Sequence, residues 1–157
     1  MREQVAEDGF VRSYRDLWVW KEGMELAEMC YGVTRVFPRE EVFGMTSQVR
    51  RAATAIPANI AEGHGRENSG EYVQFLRIAQ GSPKELETHL LLASRVGLVR
   101  NEDTAHILER CETVGKMLRA LIRSIQKDRK PGAESDVPTP YSLIPRNRRS
   151  ESSTKVR

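Results

Sequence analysis

The chain has 157 residues, of which 39% are hydrophobic, 30% charged and only 6% aromatic, enough for one domain and a tail. No run of about 18 apolar residues occurs, which excludes a membrane-spanning helix, and residues 1–12 mix acids and bases without an apolar stretch, which points away from a secretory signal and to the cytoplasm. The net charge of +3 sits at one end: positions 1–127 hold 18 basic and 18 acidic side chains, whereas 128–157 hold 7 and 4, so a nucleic-acid role suggested by basicity must rest on the tail or on a local patch.

Residues 1–12 read as a flexible N-terminus. The first helix is predicted to open at Ser13-x-x-Asp16, where the serine can cap free N–H groups and the acid can reach back. Its apolar stripe is Leu17, Trp20, Met24, Ala27, Tyr31 and Thr34, alternating steps of three and four as in a bundle seam. Phe37-Pro38 ends it, since the residue before proline is pushed out of the α region.

A second helix is predicted from about Glu40 to about Glu62 along Val42, Thr46, Val49, Ala53, Ile56 and Ile60. Pro57 lies inside it and removes one backbone hydrogen bond, yet the apolar phase continues, which predicts one kinked helix. Five alanines (Ala52, Ala53, Ala55, Ala58, Ala61) keep its surface small, and Gly63-His64-Gly65 terminates it. The third helix opens at Asn68-x-x-Glu71 and follows Tyr72, Leu76, Ala79, Pro83, Leu86, Leu90 and Ala93. It too keeps its phase through a proline, Pro83, as a single bent helix. The fourth starts near Asn101 or Asp103, carries Ile107, Leu108, Cys111, Val114, Leu118, Leu121 and Ile125, and ends in cations that suit the helix dipole. With connections of about four to six residues and no strand-period segment, the expected fold is all-α: an antiparallel up-down four-helix bundle over 13–127 with proline-kinked second and third helices.

Residues 128–157 hold four of the seven prolines and no helical period, and they cannot bury enough apolar surface to offset chain entropy, which predicts a disordered tail. Within it Tyr141-Ser142-Leu143-Ile144-Pro145 is either a short docking motif or a chance apolar cluster. Cys30 and Cys111 stand far apart in the sequence and read as buried small hydrophobes.

Two segments carry a family signature. Gln48-Val49-Arg50-Arg51-Ala52-Ala53-Thr54-Ala55-Ile56-Pro57-Ala58-Asn59-Ile60-Ala61-Glu62-Gly63 resembles the Q-x-R-R-A-x-x-S-I-P-x-N-I-A-E-G motif of the 23S rRNA-intervening-sequence protein family. Phe75-Leu76-Arg77-Ile78-Ala79-Gln80-Gly81-Ser82-Pro83-Lys84-Glu85-Leu86-Glu87-Thr88-His89-Leu90 is similar to its F-L-x-x-A-x-G-S-x-x-E-L-E-T-x-L motif. Leu17-Trp18-Val19-Trp20 and Phe37-Pro38 also fit, so the resemblance covers about 14–126. Thr54-Ala55, Pro83 and His89 depart from the usual residues. The resemblance implies a small bacterial cytosolic bundle without established enzyme activity, assembled as a ring-like homopentamer. It further implies a relation to accessory proteins of diversity-generating retroelements, which bind a reverse transcriptase and its template RNA.

Arg50, Arg51, Asn59, Glu62, Glu85 and Glu87 are polar groups set into tightly patterned helices. They form either a structural ion-pair network joining the second helix to the third, since a buried charge must be paired, or, for the arginines, a phosphate-contacting surface. The candidate nucleic-acid contacts are Arg50, Arg51, Arg77 and the tail's Arg146, Arg148 and Arg149. Trp18, Leu91 and Leu92 fall off the seams and are candidate oligomer-interface residues. A di-metal bundle site needs paired Glu-x-x-His motifs, and only Asp103-x-x-His106 comes near. No phosphate loop and no Ser/His/Asp or Cys/His arrangement is legible, so neither catalytic residues nor a cofactor, metal or small-molecule substrate is expected. The function expected is a non-enzymatic oligomeric scaffold that binds RNA or a ribonucleoprotein. The alternatives are a retroelement accessory subunit and a protein-only assembly module.

Overall fold

The computed structural model describes residues 11–129, and the architecture is the expected all-α four-helix bundle. After a 3-10 turn at Tyr14–Asp16 come α1 (Trp18–Thr34), a second 3-10 turn at Arg39–Glu41, α2 (Met45–His64), α3 (Ser69–Arg95) and α4 (Asn101–Asp128). The tail expected to be disordered, and its docking motif, lie outside the described residues.

Contacts between helix ends fix the up-down order. The end of α1 meets the start of α2 where Arg50 reaches Thr34. The end of α2 meets the start of α3 where Gly63 lies against Tyr72 and Phe75. The end of α4 returns to the start of α3, with the Arg129 guanidinium against Gly70. Between α4 and α1, Arg110 donates to both Glu22 and Glu25 at 2.6 Å, the bundle's charged clasp.

The core is one cluster. Leu26, Cys30, Val49, Ala53, Ile56, Ile60, Leu76, Leu86, Leu90, Val114 and Leu118 are completely or almost completely sealed from solvent. The stripes predicted for α2, α3 and α4 lie inward, apart from Val42, which is exposed ahead of α2, and a few half-buried positions such as Tyr72, Leu108 and Ile125. Both α2 and α3 run unbroken through their prolines.

Three local expectations change. The Ser13/Asp16 capping box forms, but it opens the 3-10 turn; α1 itself begins after Leu17 with no side-chain cap. The second helix starts at Met45, because Gly44 takes a non-helical conformation (φ −106°, ψ −117°) and the Glu41 carboxylate accepts from the Met45 N–H at 2.9 Å. On α1 the inward stripe is Val19, Gly23, Leu26, Ala27, Cys30 and Thr34, whereas Met24 and Tyr31 are 38% and 43% exposed. The cause is the close approach of α2: a β-carbon at Gly23 would lie 3.2 Å from Ile56 and 3.5 Å from Pro57, leaving no room there for a large residue.

At the start of α3 the Asn68 side chain accepts from the Glu71 N–H at 2.7 Å, satisfying a donor the helix leaves free. Asn68→Ala should therefore cost about 1 kcal/mol in urea unfolding, with the spectrum of the folded state unchanged.

Candidate nucleic-acid interface

A furrow runs along the outside of the bundle between α1 and α2. It has a basic half and an apolar half, which share Tyr31, Arg35 and Thr54. The basic half encloses about 570 Å³ and is lined by four arginines (Arg35, Arg39, Arg50, Arg51) and the hydroxyls of Thr34, Thr46, Ser47 and Thr54, with no carboxylate in its wall. The antiparallel turn creates this cluster. Arg35 caps the end of α1, Arg39 sits in the connecting turn, and Arg50 and Arg51 lie in the second turn of α2.

Arg50 is held in place. Its Nε donates to Thr34 Oγ1 at 2.9 Å, and that hydroxyl donates to the Cys30 carbonyl at 2.7 Å. The guanidinium carbon lies 4.4 Å from the Tyr31 ring centroid, a stacking that leaves its outer N–H groups free for an anion. Arg35, Arg39 and Arg51 are exposed. Among the described residues none of the four is paired with a carboxylate, whereas Arg66, Lys84, Arg100, Arg110 and Lys116 each are. Other cations of the described residues, Arg77 among them, are also without a carboxylate pair; what sets the furrow apart is that four such arginines share one wall. Tyr31, 43% exposed, lines both halves, and Phe43, 97% exposed, follows the wall residue Val42 in sequence.

The ion-pair network considered between the second and third helices takes another form. Glu62 bonds Arg66 at 2.7 Å, Glu87 bonds Lys84 at 2.9 Å, and Glu85 lies 3.5 Å from His89 Nε2. Asn59 donates to the Ala55 carbonyl at 2.7 Å. Glu62, Glu87 and Asn59 find their hydrogen-bond partners three or four positions away on their own helix, whereas the buried His89 Nε2 has no hydrogen-bond partner among the described residues; at Gly63 the approach of α3 leaves no room for a side chain. Arg51 faces solvent, and Arg77 is exposed on α3, outside the furrow. Arg146, Arg148 and Arg149 lie outside the described residues. Arg35 and Arg39 escaped the sequence reading because no motif marks them; only the helix pairing brings them to Arg50 and Arg51.

Trp18, Leu91 and Leu92 are 46%, 52% and 46% exposed, but they form no single patch: Trp18 begins α1, and the two leucines lie near the end of α3. Leu92 shares a face of α3 with Ile78 and Val96, both also exposed. Among the described residues no three His, Cys, Asp or Glu side chains are grouped to hold a metal, and no helix is long and apolar enough to cross a membrane.

A family model described as 23S rRNA-intervening sequence protein matches residues 15–120. The chain belongs to that family. The family region takes in all four furrow arginines and ends before the basic tail. Among solved structures, a protein of unknown function from the S23 ribosomal protein family of Bacteroides thetaiotaomicron VPI-5482 is 24% identical, with 67% of this chain and 98% of that chain covered and a TM-score of 0.61. At that identity the likeness concerns the fold. No curated protein matches the chain.

Proposed function

We propose that this member of the family is a non-enzymatic cytoplasmic scaffold that assembles into a ring, a pentamer as the family resemblance implies, and grips single-stranded RNA or a ribonucleoprotein along the α1/α2 furrow. The observation that carries the reading is the cluster of four arginines without a carboxylate partner among the described residues, with the exposed Tyr31 in the same wall. Phosphates are bound by arginine forks, and unstacked bases by aromatic faces. A reverse transcriptase carrying its template RNA is the partner that the resemblance to retroelement accessory proteins implies. Self-association is supported by the exposed apolar residues towards the end of α3, Leu91 and Leu92, with Val96 just beyond it.

The test is binding of a single-stranded RNA by the full chain across a salt series. Among the described residues the Arg39 and Arg51 side chains make no hydrogen bond or ion pair, so Arg39→Ala/Arg51→Ala should melt at the same temperature as the parent. It should lose two phosphate contacts, lowering the slope of log K against log salt by about 1.4 and the affinity at about 50 mM salt by roughly 10- to 100-fold. Arg77→Ala should change neither. Equal binding by the double variant and the parent would refute the furrow as the RNA site. Sedimentation showing only monomer at tens of micromolar would refute the ring.

A further inference from the structure

The apolar half of the furrow is unoccupied by any part of residues 11–129, and its shape is specific. Tyr14, Trp20, Met24 and Tyr31 wall a groove of about 650 Å³ whose floor is made of small or flat residues of α2, Pro57 and Ala58 among them. We propose that this groove docks the chain's own C-terminal segment, residues 137–145, of sequence VPTPYSLIP.

Three observations select that occupant. The first is chemistry. After Arg129 the large apolar residues gather in this stretch, which brings together Val137, Tyr141, Leu143 and Ile144 with three prolines; outside it stand only Ala133, Val156 and one further proline and glycine among polar residues. Prolines fix φ, so a sequence with three of them in nine positions has less freedom to lose on docking. Extended proline-rich chains are recognised by aromatic-walled grooves like this one.

The second is reach. The described chain ends with Arg129 against Gly70, at the end of the bundle where α1 begins, α2 ends and Tyr14 closes the groove. Twelve positions separate Arg129 from Tyr141, a span of up to about 40 Å. Neighbouring helix axes are only about 8–10 Å apart, so the segment reaches the groove without strain. So short a tether gives an effective concentration of order millimolar, and a dock with a Kd below about 1 mM is filled at any protein concentration.

The third is charge. Glu134 and Asp136 precede the apolar stretch; Arg15 is stacked on Tyr14 of the groove wall and Lys21 follows Trp20 in sequence, while the wall itself carries Glu28 and Arg35. A chain entering there lays Leu143 and Ile144 along the groove and carries Arg146, Arg148 and Arg149 towards the four-arginine half. That last consequence rests on the phosphate reading above; the dock itself does not.

The test uses the full chain with methyl-labelled methionine and no RNA. Of the four methionines among the described residues only Met24 lines the groove, while Met29 and Met117 report on the bundle. The variant Leu143→Asp/Ile144→Asp changes no residue of the core formed by 11–129 and should leave the bundle folded. It should shift the Met24 methyl signal while Met29 and Met117 hold still, and trypsin should cut after Arg146 several-fold faster than in the parent. The Met24 difference should persist on dilution. An identical Met24 signal in parent and variant overturns the proposal. A difference that disappears on dilution also overturns it, since the segment then comes from a second copy. If Met24 is insensitive to the tail variant but moves on dilution, the groove is covered by another bundle. None of these outcomes alters the arginine test, whose readout is RNA affinity.

Discussion

Replacing Gly63 by alanine should destabilise the bundle by about 2 kcal/mol, although alanine is the better helix former. In an open helix interior the exchange gains up to about 1 kcal/mol. At Gly63 the new β-carbon would stand 2.7 Å from Phe75 Cβ, 3.0 Å from Tyr72 Cδ2 and 3.3 Å from the Tyr72 carbonyl oxygen. Two of these atoms belong to the backbone or sit directly on it, so no rotamer change removes the clash; α3 must move as a body. Overpacking of this kind costs about 1–3 kcal/mol, occasionally more, and here it falls on α2 and α3, the most extensively packed pair in the molecule. Gly81 is the control, a helical glycine of α3 whose added β-carbon meets nothing within 4 Å. Gly81→Ala should raise stability by up to about 1 kcal/mol. A swing of about 3 kcal/mol between two chemically identical substitutions is a large share of a typical domain's 5–15 kcal/mol. Urea unfolding of both variants measures it, and equal midpoints would contradict the helix approach at Gly63.

The same contrast explains which parts of the fold were legible in the sequence. Along α2 and α3 the inward positions are mostly the larger apolar residues (Val49, Ile56, Ile60, Leu76, Leu86, Leu90), so periodicity found the seam and carried it through Pro57 and Pro83. Along α1 the α2 backbone comes close, and small residues, Gly23 and Cys30, take the inward positions. Large Met24 and Tyr31 are displaced to the furrow. A reading that assigns the biggest side chains to the core therefore rotates α1 by about one position. It also conceals the feature of most functional interest, because the misassigned residues are the groove walls. The arginine cluster was half legible for a related reason. Arg50 and Arg51 stand in a recognisable motif. Arg35 and Arg39 join them only through the antiparallel turn, a tertiary fact that no local pattern encodes. For Glu87 a partner on the same helix, Lys84, was available three positions away, and proximity along the chain decided the pairing.

The two thiols should make the folded protein fail with rising pH and resist labelling while it holds. Cys30 on α1 and Cys111 on α4 both lie in the core. Burial, reinforced by the neighbouring Cys111 thiol, pushes Cys30 up to about 12 from an ordinary 9.0. Burial, aided by the Glu87 charge and partly offset by Lys84, does the same to Cys111. A folded-state pKa above the unfolded value means that the unfolded chain releases its protons first. The stabilising effect is complete below pH 9 and is lost between about pH 9 and 12, at about 1.4 kcal/mol per pH unit for each thiol. The parent should therefore lose stability with pH in that window more steeply than Cys30→Ala/Cys111→Ala, even though the variant starts lower because of its cavities. At pH 8 a thiol with pKa about 12 is ionised about one part in ten thousand, against about one in ten at 9.0, so a disulfide reagent should react at least about a thousandfold more slowly than with the unfolded chain. What reaction remains passes through opening of the bundle and so reports its stability. Gly63→Ala, about 2 kcal/mol less stable, should then label about 30-fold faster than the parent, and Gly81→Ala more slowly. Rapid labelling of the native parent, indifferent to both glycine variants, would mean that α1 and α4 do not enclose the two sulfurs, and the packing deduced for α1 would fall with it.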